Sequence, residues 1–232
     1  MEVLDTRAAA DFAARRLTEL ADPAAAGAMA RYMKTEMPFY GVKKPARVPI
    51  LRELVQGWPP TNRKQYQQLV LSLWRGRHRE EKYLAVGVAR YYESFIDPGS
   101  MKLYRRLIVE GAWWDFVDEV ASTLVGRDLL DHRAATTPQI VEWLDHNDMW
   151  LRRTAVLSQL KHREQTDAAL LFRCCSTRAH ETEFFIRKAV GWALREYAKT
   201  DADAVRRFVV EQGELLSSLS RREALKNLPP PG

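Results

Sequence analysis

Five residues carry the chemistry this sequence can offer: Trp114, Asp118, Arg153, Lys188 and Trp192. The stretch GAWWDFVDEV, residues 111–120, sets two indoles and two carboxylates, Asp115 and Asp118, at what reads as one helix start opening on Gly111. A core takes indoles but not acids, and a solvated helix takes acids but not indoles. Trp114 lies one helical turn before Asp118 and Trp192 one turn after Lys188, so each indole shares a face with a charged group. Indole faces attract cations by ~0.5–2 kcal/mol. A carboxylate stabilises developing positive charge, and Arg and Lys hold phosphates. A ligand that is cationic at its centre with phosphates on its flanks satisfies all three. An N3- or N7-alkylated purine nucleotide in DNA is such a ligand. Its charge makes the base a good leaving group without a general acid. Glycosidic cleavage then passes through an oxocarbenium-like sugar, and one carboxylate is enough to stabilise that sugar and orient a water.

Each residue taken alone has a plainer explanation. A Trp at helical spacing is more often core. An Asp near a helix start is more often an N-cap, worth ~1 kcal/mol. An Arg before an apolar run is usually solvated. What joins them is the pattern of elements. Four segments align without gaps at a spacing of 35: YLAVGVARYY from Tyr83, DEVASTLVGR from Asp118, RTAVLSQLKH from Arg153 and KAVGWALREY from Lys188. One column holds Ala85, Val120, Ala155 and Val190; the next holds Val86, Ala121, Val156 and Gly191; a third holds Ala89, Leu124, Gln159 and Leu194. Small apolar residues at i, i+1 and i+4 form a helical stripe that lets helices pack closely. Asp118, Arg153 and Lys188 share the column that opens these segments. Equivalent positions in a repeat array line one face, so that column is either a row of exposed polar groups or a binding groove.

Further helices are expected in MKLYRRLIVE, TPQIVEWLDH and TDAALLFRCC, over Pro45–Gln56 and Arg63–Trp74, and after an Asp22–Pro23 cap. No segment alternates apolar and polar residues long enough for a strand. The fold class expected is all-α, with antiparallel helix pairs stacked as a HEAT-like solenoid whose concave groove is basic. One domain over 1–228 is expected, followed by a disordered tail at 229–232.

Composition sets the outer limits. The chain has 232 residues, 46% of them hydrophobic, a net charge of +6 and a pI near 9.4, which suits a polyanionic partner without requiring one. Its two cysteines, Cys174 and Cys175, are adjacent and read as buried thiols in a reducing compartment. No apolar run reaches the roughly 18 residues of a membrane span. GxGxxG, P-loop and HExxH motifs are absent, and the five scattered histidines read as surface positions. Neither metal nor organic cofactor is implied.

MARYMK (29–34), WWDFVD (113–118), WLRRTAVLSQLK (150–161), FFIRKAVGWALREYAKT (184–200) and LSRREALKN (219–227) closely resemble the AlkD-type DNA alkylation-repair glycosylases, in order and across nearly the whole chain. The resemblance implies a HEAT-like fold that binds duplex DNA in a concave basic groove. It implies excision of cationic N3- and N7-alkylpurines without drawing the lesion into a deep pocket, unlike base-flipping enzymes. It also implies roles. Trp114 and Trp192 match cleft tryptophans packed against the lesion-bearing backbone, and Asp118 matches the catalytic carboxylate. Arg153 matches an arginine on a DNA phosphate, and Tyr32 matches a further cleft aromatic. Trp113 and Asp115 read as packing or capping residues. Lys188 is a nearby amine, but a cationic leaving group requires no covalent step, so a monofunctional enzyme is expected. The expected partner is double-stranded DNA bearing alkylated purines, with no membrane involvement, and the expected state is a cytoplasmic, nucleoid-associated monomer. Two alternatives stand beside this: a non-catalytic HEAT-type DNA-binding module and a protein–protein adaptor.

Overall fold

Helices begin where the sequence supplies a side-chain acceptor. Asp22 accepts the N–H groups of Ala24 and Ala25 at 3.0 Å each, just ahead of Pro23. Asn62, Asp148, Asp167 and Asp201 serve the same purpose at four other helices. Each such cap satisfies donors that the first turn leaves unpaired, at a gain of ~1 kcal/mol. The computed structural model describes residues 4–226 and Leu228; among them there are helices and turns and no strand. The fold class is all-α. The tail expected at 229–232 lies outside the described residues. Among those described, no helix is long and apolar enough to cross a membrane.

The chain divides into two compact units, Met1–Ile96 and Asp97–Gly232. The first contains α1 (Thr6–Glu19), α2 (Pro23–Met33), α3 (Lys44–Gly57), α4 (Arg63–Trp74) and α5 (Arg79–Tyr91). Helix α1 packs on α3 and α4, and α5 packs on α3 and α4. Leu17, Ile50, Leu54, Tyr66, Leu69, Leu73 and Trp74 fill the space between them. The loop between α2 and α3 is held by the buried Glu80 carboxylate, which accepts the N–H groups of Tyr40, Gly41 and Val42 at 2.8–3.0 Å. Tyr32 stands in the last turn of α2 with 75% of its surface exposed.

The second unit contains α6 (Met101–Gly111), α7 (Trp114–Glu119), a π-helical turn (Val120–Val125), α8 (Gly126–Asp131), α9 (Arg133–Leu144), α10 (Met149–Leu157), α11 (Ala168–Thr177), α12 (Phe184–Tyr197), α13 (Ala202–Gln212) and α14 (Ser218–Ala224). Helix α10 lies at its centre, against α6, α7, the π turn, α9 and α12. The 35-residue repeat is legible here as burial. Val120, Ala121, Leu124, Ala155, Val156, Gln159, Val190 and Leu194 are all in the interior. Two glycines allow unusually close approach between helices. A Cβ on Gly126 would meet the Ser158 carbonyl oxygen at 2.4 Å, and one on Gly191 would meet the Glu223 Cβ at 2.6 Å. Gly191 thereby lets α14 lie tight against α12.

Two local expectations are corrected. Gly111 does not open the helix of Trp114; it closes α6, and Ala112 turns the chain with φ of 38° before Trp113 leads into α7. The histidines are not all superficial. His162 is buried, and its Nε2 lies 2.8 Å from the Gly126 carbonyl oxygen. Burial holds its pKa below the ordinary histidine value.

Candidate active site

The site is built on α7, α10 and α12. Helix α7 carries Trp114 at its first position and Asp118 one turn later. The helix then widens into the π turn, where backbone N–H groups reach one residue further back and leave carbonyls short of partners. The Ser122 and Thr123 hydroxyls donate to the carbonyls of Asp118 and Glu119 at 2.8 and 2.6 Å. Such insertions are rare and recur at functional sites. Asp118 thus sits at a change of helical pitch, with its carboxylate aimed at α10. It does not cap a helix, as the plainer sequence explanation would have it; the N-cap position belongs to Trp113.

Arg153, on α10, meets that carboxylate face to face. Its Nε donates to Asp118 Oδ1 at 2.7 Å and its Nη2 to Oδ2 at 2.8 Å. Its Nη1 donates to the Phe185 carbonyl in the first turn of α12. The Arg153 side chain is 5% exposed and that of Asp118 14%. These two members of the charged column are therefore not solvated groups. Burial raises the Asp118 carboxyl above the ordinary carboxylate range, and the hydrogen bonds and charge of Arg153 pull against that rise.

A cavity of about 350 Å³ opens beside this pair. Trp114, Arg153, Lys188 and Trp192 line it, together with Phe184, Phe185 and Arg195. Four of the residues singled out from sequence thus share one wall system, and Asp118 stands behind Arg153, bonded to it. Trp113 instead packs inward, its ring 6.0 Å from that of Trp150 and 5.4 Å from that of Phe185. The cluster of Trp113, Trp150 and Phe185 fixes the start of α12 against α7 and α10.

Lys188 is not a free amine. Its Nζ donates to Glu223 Oε1 at 2.9 Å, and Arg195 Nη1 donates to Glu223 Oε2 at 2.6 Å. The hydrogen bond from Lys188 leads in holding the Glu223 carboxyl below its ordinary range. Glu223, Arg195, Phe184 and Phe185 were missed as site residues. One signal was available: 35 residues beyond Lys188 is Glu223, so the column of Asp118, Arg153 and Lys188 continues into LSRREALKN. Arg195 lies one turn from Trp192 on the same face. No spacing rule pointed to Phe184, which is 53% exposed at the rim.

Comparison with known proteins bears on this arrangement. Residues 13–228 match the profile of a family described as "DNA alkylation repair enzyme". The chain belongs to the DNA alkylation repair enzyme family. The match takes in both units and every side chain of the cavity. Among solved structures, a "Predicted DNA alkylation repair enzyme from Enterococcus faecalis" is similar to it at 28% sequence identity, with a TM-score of 0.82, covering 91% of this chain and 98% of that one. The comparison with curated proteins gives no match. Membership makes the chain a DNA repair protein in kind, and DNA the macromolecule its basic composition suits.

Proposed function

We propose that the protein is a monofunctional glycosylase that hydrolyses the N-glycosidic bond of cationic N3- and N7-alkylpurines in duplex DNA, such as 3-methyladenine and 7-methylguanine. One observation carries this reading: a carboxylate, Asp118, held bidentately beside a cavity walled by two tryptophans. Trp114 and Trp192 offer indole faces to a cationic nucleotide. The alkyl group has already put a positive charge on the base, so departure needs no proton donor. What the site must supply is negative charge near the sugar as its bond to the base breaks. Asp118 supplies it. A carboxylate has about four acceptor positions; Arg153 uses two, which leaves lone pairs to orient a water. Arg153 acts through Asp118, as a positioning residue that fixes the carboxylate plane.

In this proposal Arg153 serves Asp118 first: three of its five N–H groups donate within the protein, and the two that remain on a side chain lining the cavity can still meet a DNA phosphate. Tyr32 presents an exposed ring on the first unit and is kept as a DNA contact. In this reading the base leaves without entering a closed pocket. The enzyme acts as a monomer on duplex DNA in the cytoplasm, and needs no cofactor.

The test is release of free 7-methylguanine from methylated duplex DNA by the purified protein under single-turnover conditions. Release that is saturable in enzyme supports the proposal. Salt-sensitive binding to duplex DNA with no release would make the protein a non-catalytic DNA-binding module. Absence of both would leave an adaptor of other proteins.

A further inference from the structure

The charges around the cavity balance unevenly. Asp118 and Arg153 cancel each other through their paired hydrogen bonds. Lys188 and Arg195 share a single counter-charge, Glu223. Both cations line the cavity; Glu223 is not part of its wall and stands behind them on α14. The cavity's net positive charge therefore resides at one place, where two cations are backed by one carboxylate. Donor counts agree. An ammonium has three N–H groups and a guanidinium five. Lys188 and Arg195 each spend one on Glu223, and among the described residues neither has another hydrogen-bond partner. Their side chains are 37% and 26% exposed.

We propose that Lys188 and Arg195, with Glu223 as the positioning carboxylate between them, form a subsite for one phosphodiester of the DNA strand. Lys188, Arg195 and Glu223 together carry a net charge of plus one, which complements the single negative charge of a phosphodiester, and the exposed Lys226 adds positive charge near Glu223. Lys188 has its place in the expected DNA surface; Arg195, held to the same carboxylate, completes the subsite. Gly191 is part of the device, since any side chain there would push Glu223 away from both cations. The subsite deepens the proposed function and rests on the cavity being where DNA binds.

The experiment is the salt dependence of binding to an unmodified DNA duplex. Lys188→Met and Arg195→Met are each expected to lower the log–log slope by about 0.9, the value for one lost phosphate contact. Arg207→Met removes the same charge from an exposed position on α13 that does not line the cavity, and is expected to leave the slope unchanged. Glu223→Gln is expected to tighten binding, because two cations then face the one phosphate without a counter-charge, while the slope keeps its wild-type value. A damaged fold cannot produce a tightening, and a thermal melt of each methionine variant separates a lost contact from a damaged fold. Equal effects at Arg207, no effect at Lys188 and Arg195, or unchanged or weaker binding by Glu223→Gln would overturn the subsite. Wild-type release of 7-methylguanine is measured alongside. Expected slopes without base release keep the subsite and defeat the glycosylase reading; base release with slopes indifferent to Lys188 and Arg195 does the reverse.

Discussion

Arg153 and Asp118 stand 35 residues apart in the chain and meet through two parallel hydrogen bonds of 2.7 and 2.8 Å. Lys188 and Glu223 stand 35 residues apart as well, and meet at 2.9 Å. The repeat that lines up apolar helix faces thus also lines up charges of opposite sign in neighbouring repeats. The first pair is the more deeply buried, and a planar guanidinium on a carboxylate gains geometric specificity that a lysine lacks.

Asp118→Asn is expected to lower base release by on the order of 10² or more, as loss of an electrostatic transition-state contact does. The structure adds a second expectation. Asparagine offers Arg153 one acceptor oxygen and sets an amide N–H group against its other donors. Arg153 is then a buried charge with a poor partner, so the melting temperature falls too. Single-turnover release of 7-methylguanine should be measured well below that temperature. A rate near wild type would remove Asp118 from the mechanism.

Arg153 and Asp118 should also prove strongly coupled in stability. Arg153→Met leaves a buried carboxylate alone, and Asp118→Leu leaves a buried guanidinium alone; breaking a buried pair from either side costs roughly 3–5 kcal/mol. Removing both partners removes the unpaired charge, so the double variant should be far more stable than the sum of the single losses implies. Urea unfolding of the four proteins measures this. Additivity within about 0.5 kcal/mol would mean the two side chains do not interact in solution.

Helix positions and core columns could be read from the sequence because both follow from local periodicity. Helix α4 was expected over Arg63–Trp74 and occupies those residues, and Val120, Ala155 and Val190 are interior as their column requires. The clustering of Trp114, Arg153, Lys188 and Trp192 was legible for the same reason. What escaped depends on contacts across helices. Periodicity could not tell that Arg153 turns inward to Asp118, because an arginine before an apolar run looks alike in water or in an ion pair. The fixed 3.6-residue period also hid the π turn after Asp118. His162 looked superficial because nothing local reveals that a carbonyl, that of Gly126, waits 36 residues away.

The adjacent cysteines should be chemically silent in the folded protein. Burial raises the Cys174 thiol to about 12 and that of Cys175 well above its ordinary value. The thiolate is the reactive form, and it is suppressed in both. A colourimetric disulfide reagent at neutral pH should titrate no thiol in the native state and two after denaturation. Rapid native labelling of either would mean that α11 opens readily to solvent.

The pH dependence of base release should carry the signature of Asp118. The proposed chemistry needs the carboxylate, so activity should rise with pH as this group loses its proton. Burial raises its carboxyl above the ordinary aspartate value, with Arg153 opposing, so the inflection should lie on the alkaline side of about 3.9. Stability runs the other way. A carboxyl whose folded pKa is raised binds its proton more tightly in the native state than in the unfolded one. Its contribution to stability is complete below the unfolded value and is lost as pH rises through the folded value. The same titration that switches the site on therefore takes stability from the fold. Single-turnover release should be followed from about pH 4 to about pH 8, the span that brackets a raised carboxyl, with spontaneous depurination subtracted and melts recorded in the same buffers. Asp118→Leu, with Arg153→Met to remove the partner, should lack the stability step. A release rate that falls as pH rises through this span would contradict a role for ionised Asp118, and a stability step that survives in the double variant would assign the titration to another group.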